Sequence, residues 1–257
     1  MSEGFRARGR EREDERGDDV EGRVVCGIQP VREALRVHGA KVTRLYLEAG
    51  DNPRLAALGR LARDTGVAVS GAMRGELDRL ARGVHHQGAL AIAPPLPTIE
   101  LDLLMTPEAA LVVLDGITDP QNFGAILRCA VALGSGGVVF GESQAAPLTA
   151  ATFRASAGAV EHAKLCRVRS LRSAVSRLVS SGVTVVSLEA DAETCLSELE
   201  LRGPAAVIVG AEDKGVGKAV RQLASARARL PMNGVLDSLN ASAACAVALY
   251  EIRRQRG

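Results

Sequence analysis

Leu230-Pro231-Met232-Asn233-Gly234-Val235-Leu236-Asp237-Ser238-Leu239-Asn240-Ala241-Ser242 sets small and polar residues directly before an apolar helix that runs to the end of the chain. Ser238 and Asn240 are types favoured at helix N-caps, where a side-chain oxygen takes up an orphan backbone N–H. Ala241, Ala243, Ala244, Ala246 and Ala248 are strong helix formers. Standing alone, this is a capped helix preceded by a turn. Two further polar loops in the same half of the chain give it more weight.

Upstream of this stretch, Ala110–Leu114, Gly137–Phe140, Lys164–Val168, Val183–Ser187 and Ala205–Val209 are short apolar runs that read as buried strands. Helices over about 123–133, 171–181 and 216–224 separate several of them. Such alternation predicts an α/β domain with a mostly parallel sheet covered on both faces, and a ligand site at the carboxyl ends of its strands. Leu133-Gly134-Ser135-Gly136-Gly137 reads as a helix C-cap and turn, since glycine tolerates the left-handed conformation.

A smaller α/β unit precedes this domain. Helices over about 30–37, 53–65 and 74–81 alternate with strands over about 42–48, 67–70 and 88–93. Pro94-Pro95-Leu96-Pro97 then denies the backbone both N–H bonds and helical continuation, which makes it the best domain boundary. Residues 1–22 are a mixed-charge run with almost no apolar residue, too polar to repay the entropy of ordering. The expected division is therefore a disordered tail over 1–22, a small domain over 23–94, a linker over 95–108 and a larger domain over 109–257.

Composition narrows the function. Hydrophobic residues make up 47% of the 257 and aromatics only 2%, with no Trp, so the cores are built from Val, Leu, Ile and Ala, and base-stacking RNA platforms are not expected. Residues 1–19 hold five Arg against seven acidic residues, about −2, so a chain of net charge +2 has a mildly basic body of about +4. Five scattered cysteines, odd in number and without a C-x-x-C pair, fit a reduced cytoplasmic compartment. No apolar run approaches the roughly 18–20 residues that span a bilayer, and no secretory h-region is present. His85-His86 does not suggest a metal site, because adjacent strand residues point apart and no Cys or carboxylate cluster completes a ligand set.

The first of the two polar loops is Asp115-Gly116-Ile117-Thr118-Asp119-Pro120-Gln121-Asn122-Phe123-Gly124-Ala125-Ile126-Leu127-Arg128, with Asp119-Pro120 as a helix start. Asn122 and Arg128 are about one and two-thirds turns apart, so their side chains point to different sides of a regular helix. The second is Gly210-Ala211-Glu212-Asp213-Lys214-Gly215-Val216-Gly217-Lys218. A phosphate-binding P-loop would need Gly at Glu212 and Ser or Thr at Ala219, and a dinucleotide fingerprint from Gly215 would need Gly or Ala at Val220, so both nucleotide readings fail. What remains is a glycine-rich turn that holds Glu212 near exposed backbone.

Asn122 with Arg128, Glu212, and Met232 through Ser242 resemble, in order and spacing, the three motifs of the SpoU (TrmH-like) 2′-O-ribose RNA methyltransferases. The likeness covers about residues 110–254 and rests on Asp-Pro-Gln-Asn-Phe-Gly, Gly-Ala-Glu, and Pro-Met-Asn-Gly with Ser-Leu-Asn-Ala-Ser. Residues 24–94, with Gly27-Ile28-Gln29-Pro30-Val31 and His86-Gln87-Gly88, resemble the small L30e-like substrate-binding domain of relatives that modify a guanosine of large-subunit (23S) ribosomal RNA, the RlmB-like subgroup. The chain departs from the family pattern at Ala241, where Val is common, at Asn233, and in the charged Asp213-Lys214.

The resemblance implies a SPOUT domain whose C-terminal segment threads a trefoil knot, an S-adenosyl-L-methionine cofactor, an RNA partner and a homodimer that completes the site. It places the cofactor against Leu188, Glu189, Gly210, Gly215, Leu230, Met232 and Leu239. It assigns the chemistry to Asn122, Arg128, Glu212, Ser238 and Asn240. Arg stays protonated, so Arg128 is expected to orient phosphate and favour the ribose alkoxide rather than to act as a base. Asn122, Ser238 and Asn240 would position by hydrogen bonding, and Glu212 would hold Arg128 or the dimer-related loop. A transfer RNA methyltransferase and a non-catalytic RNA-binding protein of the same fold are the alternatives.

Overall fold

The computed structural model of the chain describes residues 22–143, 145–146, 148–235 and 238–257. The tail expected over 1–22 lies, apart from Gly22, outside the described residues. The N-terminal unit comprises β1 (Arg23–Cys26), α1 (Ile28–His38), β2 (Arg44–Glu48), α2 (Pro53–Asp64), β3 (Val69–Ala72), α3 (Arg74–Ala81) and β4 (Ala89–Ala93). Its sheet has the order β1-β4-β2-β3, with β4 antiparallel to both neighbours and β2 parallel to β3. Asn52 caps α2 through the Arg54 amide, and Pro53 takes a first-turn position where its missing N–H costs nothing.

The third strand begins two residues later than its apolar run predicts. Val67 N–H closes the end of α2 by donating to Ala62 O at 2.8 Å, with Gly66 left-handed at φ 76°. Val67 therefore belongs to a helix stop. β1 went unread because only four residues of Arg-Val-Val-Cys carry it, and its partner β4 lies more than sixty residues away.

The larger unit comprises β5 (Ala110–Asp115), α4 (Pro120–Ala132), β6 (Gly137–Gly141), α5 (Ala150–Ala155), β7 (Leu165–Val168), α6 (Leu171–Ser180), β8 (Thr184–Leu188), β9 (Ala205–Gly210), α7 (Lys218–Arg221), β10 (Ala226–Ala228) and α8 (Ala241–Arg256). Its six strands run parallel in the order β10-β8-β9-β5-β6-β7. Alternation along the central strands separates two buried layers. Val112, Leu114, Val207 and Val209 pack with Phe123, Ile126, Cys245, Leu249 and Ile252 of α4 and α8. Leu111, Val113, Ala206 and Ile208 face Ala174, Val175, Leu178 and Val220 of α6 and α7.

α5 and β10 are too short to announce themselves by periodicity. The helix expected over about 216–224 contracts to a single turn, α7. Gly217 N–H donates to Asp115 Oδ2 at 2.7 Å just before α7, and Ser225 N–H joins Val185 O just beyond it. α4 and α5 meet at Gly124, where a Cβ would lie 2.5 Å from Ala155 Cβ and 2.7 Å from Thr152 O. Gly124→Ala must push the two helices apart and is expected to destabilise the protein by about 2 kcal/mol. Gly75→Ala, in α3 with open space around it, is expected to stabilise by about 0.5–1 kcal/mol. Urea unfolding of both variants checks the pair.

Candidate active site

β5 and β9 end side by side, with Asp115 in register with Gly210, and the two loops that leave them are bound together by the Gly217 to Asp115 hydrogen bond. The loop after β9 folds straight back: Gly215 N–H donates to Ala211 O at 2.7 Å. A Cβ on Gly210 would fall 2.1 Å from Gly215 C, so only glycine permits this approach. The turn presents Glu212 to solvent at the carboxyl end of the sheet, where a ligand is expected in such folds.

Glu212 Oε1 accepts from Asn240 Nδ2 and, at 3.3 Å, from the Ala241 amide at the start of α8. Asn240 Nδ2 also donates to Asn122 Oδ1 at 2.9 Å. Asn240 Oδ1 accepts from Ser242 N at 2.9 Å and Ser242 Oγ at 2.6 Å, so Asn240 caps α8 while joining it to α4 and to the β9 loop. A carboxylate on a helix N-terminus is electrostatically favourable. Asn122 does not cap α4. Asp119 does, accepting from Gln121 N and Asn122 N at 3.2 and 3.0 Å, which frees the Asn122 side chain for Asn240.

Arg128 lies apart from this cluster, exposed on α4. Among the described residues it forms no hydrogen bond or ion pair, and within one chain Glu212 holds Asn240 rather than Arg128. The helical spacing had put the Asn122 and Arg128 side chains on different sides, and α4 is a regular helix across both.

Leu188, Glu189, Gly210, Gly215, Leu230, Met232 and Leu239 all line one cavity of about 230 Å³, together with Glu212 and Ser238. Asn122, Arg128 and Asn240 are not among its lining residues. Val209 and Ala244 add apolar wall that the motif strings did not single out, and Ala241 of the last string lies beside them. Glu189 is held firmly: Ser187 Oγ donates to its Oε1 at 2.6 Å and Arg221 Nη1 to its Oε2 at 3.2 Å, with the Arg227 guanidinium 3.8 Å away. Its carboxylate is therefore fixed in direction and largely balanced in charge. Asp115 and Arg221 were missed by sequence reading because each acts on a residue distant in the chain, and Ser187 because its apolar run reads only as a buried strand end.

Burial pushes the Cys245 thiol up to about 12 and those of Cys26 and Cys166 to about 11, which leaves them protonated and poor nucleophiles at neutral pH. Burial also raises Cys129, with Arg128 opposing. His86 is structural: Gly88 N–H donates to its Nδ1 at 3.0 Å, and its Nε2 lies 3.0 Å from Asp78 Oδ1. Among the described residues no group of three or more His, Cys, Asp and Glu could hold a metal ion, and no helix is long and apolar enough to cross a membrane.

Residues 109–250 match the SpoU rRNA methylase family, and residues 24–98 match the RNA 2′-O ribose methyltransferase substrate-binding domain. The chain belongs to the SpoU family of RNA methyltransferases. It is 38% identical over 247 residues to a protein of Mycolicibacterium vanbaalenii described as an uncharacterized tRNA/rRNA methyltransferase, covering 93% of this chain and 78% of the relative. Its fold is shared with the SpoU methyltransferase AviRb of Streptomyces viridochromogenes (TM-score 0.77, 24% identity, 92% of this chain and 90% of the other). An AdoMet-bound rRNA methyltransferase of Sinorhizobium meliloti is similar in fold (TM-score 0.75, 24% identity, 92% and 88%).

The Glu212 to Asn240 contact yields a test whose sign depends on pH. Asn240→Asp sets a second carboxylate against Glu212 and raises the folded-state pKa of the pair above its unfolded value. The destabilisation, about 1 kcal/mol beyond that of Asn240→Ala, is therefore expected in full at pH 8 and relieved as pH falls toward 4. Urea unfolding at both pH values checks it.

Proposed function

We propose that this chain transfers a methyl group from S-adenosyl-L-methionine to the 2′-hydroxyl of a guanosine in large-subunit (23S) ribosomal RNA. The observation that carries the reading is the convergence of three motifs distant in sequence at the carboxyl end of a parallel sheet, where Glu212 and Ser238 line one cavity and Asn240 joins Glu212 to Asn122. The family model and the substrate-binding unit that precedes the larger domain support a ribosomal target.

The cavity suits the cofactor. Leu188, Val209, Leu230 and Leu239 give an apolar wall for an adenine, and Gly210 lets the loop after β9 fold back on itself where a side chain would fill the space. Met232 and Gly215 belong to the same lining, and Glu189 offers an oriented acceptor for hydroxyl groups. Bound there, the cofactor supplies a methyl group on a sulfonium sulfur, activated toward an oxygen nucleophile.

The protein's part is alignment and charge. Asn122 and Ser238 hydrogen-bond and orient the ribose, while Asn240, its own amide engaged by Glu212, Asn122 and Ser242, positions Asn122 by hydrogen bonding. Arg128, unpaired among the described residues, holds an RNA phosphate and stabilises the developing alkoxide. Two features support the remaining expectations from the family. Ala243, Val247, Tyr250 and Arg254 form an exposed stripe on α8 at helical spacing, which suits a homodimer that brings a second chain to Arg128. Beyond β10, Arg229 pairs with the 194–196 segment before the chain turns into α8, a course compatible with the trefoil knot. The two working units on this reading are residues 23–94 and 109–257, joined by 95–108.

Incubation of the protein with tritiated S-adenosylmethionine and unmodified total RNA is expected to label one large-subunit nucleotide, mapped by ribose-methylation-sensitive primer extension. Label in transfer RNA would overturn the target, and cofactor binding without label on free RNA or ribosomal particles would favour a non-catalytic RNA binder. Arg128→Lys is expected to slow single-turnover methylation by about 10²-fold, because a point charge cannot replace the planar fork. RNA affinity is expected to fall as salt rises, since phosphate contacts release counterions.

A further inference from the structure

We propose that Glu161 is a positioning residue for the methyl transfer, latching the N-terminal unit onto the larger one in a single orientation. The proposal rests on the reading above, in which the N-terminal unit holds the RNA. Glu161 sits in the turn after α5, and its side chain has no exposed surface. Its hydrogen-bonding partners come from the N-terminal unit. Arg23 Nη1 donates to Oε1 at 2.8 Å and Arg23 Nη2 to Oε2, while His38 Nε2 lies 2.9 Å from Oε2. Arg23 Nε donates to Pro94 O at the start of the linker, and its guanidinium lies 5.0 Å from the Phe153 ring centroid on α5. Glu33 of α1 and His162 form a second, more exposed pair at 3.0 Å.

A buried carboxylate persists only with its partners in place, so separating the units would strand this charge. The backbone is shaped for the same contact. Ala157 and Gly158 are both left-handed, at φ 51° and 86°, and a Cβ on Gly158 would lie 2.8 Å from Glu33 Cβ and 3.0 Å from Pro30 Cα. Through α5 this turn reaches the close approach of Ala155 to Gly124 on α4, the helix that carries Asn122 and Arg128. The two close contacts, at Gly158 and Gly124, leave little slack between α1 and α4. A Pro-rich tether alone would set the spacing of the two units but not their angle.

Full-length Glu161→Gln and Arg23→Gln are the test. We expect a larger radius of gyration by small-angle X-ray scattering and a KM for RNA raised about ten-fold or more. S-adenosylmethionine affinity and kcat at saturating RNA should stay within about two-fold. An unchanged KM in a folded variant, or losses in cofactor affinity and KM that run in parallel, would overturn the proposal. Should both variants fail to fold, Glu33→Gln, at the more exposed pair, is expected to move radius and KM the same way by a smaller amount, and no change would count against it. Scattering from the unaltered protein that demands a range of domain orientations would also sink it. Scattering needs no methylation, so an RNA that accepts no label would reject the functional reading and leave the latch to be judged by radius alone.

Discussion

The Glu212 carboxylate joins three pieces of chain that share no local sequence. It reaches from the turn after β9, accepts from Asn240 Nδ2 and the first amide of α8, and through Asn240 ties in Asn122 on α4. The cavity lies between the 188–190, 209–215 and 230–244 segments, so its shape requires the start of α8 to be held against the end of β9. The electrostatics favour the arrangement, because the positive end of α8 meets a carboxylate that the β9 turn would otherwise leave in water.

The sheet makes that joint possible. With every strand parallel and both faces covered, the carboxyl ends of β5, β8 and β9 open toward one side, and the chain must leave them by loops rather than hairpins. The loop after β9 folds back on itself at Gly210 and is bound to the loop after β5 by Asp115. Polar side chains there are held by one another, which is why Glu189 is engaged by a serine and an arginine and Asn240 by four groups. Among the described residues Arg128 keeps its donors unspent within one chain, a property suited to a group that meets an external anion.

The small-residue chemistry of the sequence follows from the same geometry. Large aromatic rings are few, and the interior is closed by Val, Leu, Ile and Ala, with one edge-to-face pair between Phe123 and Phe140 at 5.2 Å. Small side chains allow the α4 to α5 approach at Gly124 and the burial of Cys245 and Ala248 where α8 lies on the sheet. The thiols so buried are packing groups, raised far above the range in which they would react.

Local rules determined much of this protein directly. The alternation of strands and helices, the helix starts at Pro53 and at Asp119-Pro120, the Gly134 stop and the Asn240 cap depend on residues within a few positions of one another, and each was legible. The family motifs likewise named residues that line a common cavity. Tertiary structure alone decided the contraction of α7 to one turn, the pairing of β1 and β10, and the choice of Asn240 rather than Arg128 as the partner of Glu212. Those outcomes turn on hydrogen bonds across dozens of residues, such as Gly217 to Asp115 and Ser225 to Val185, which compete with local propensity and succeed because a buried sheet edge or helix end cannot leave its polar groups unpaired.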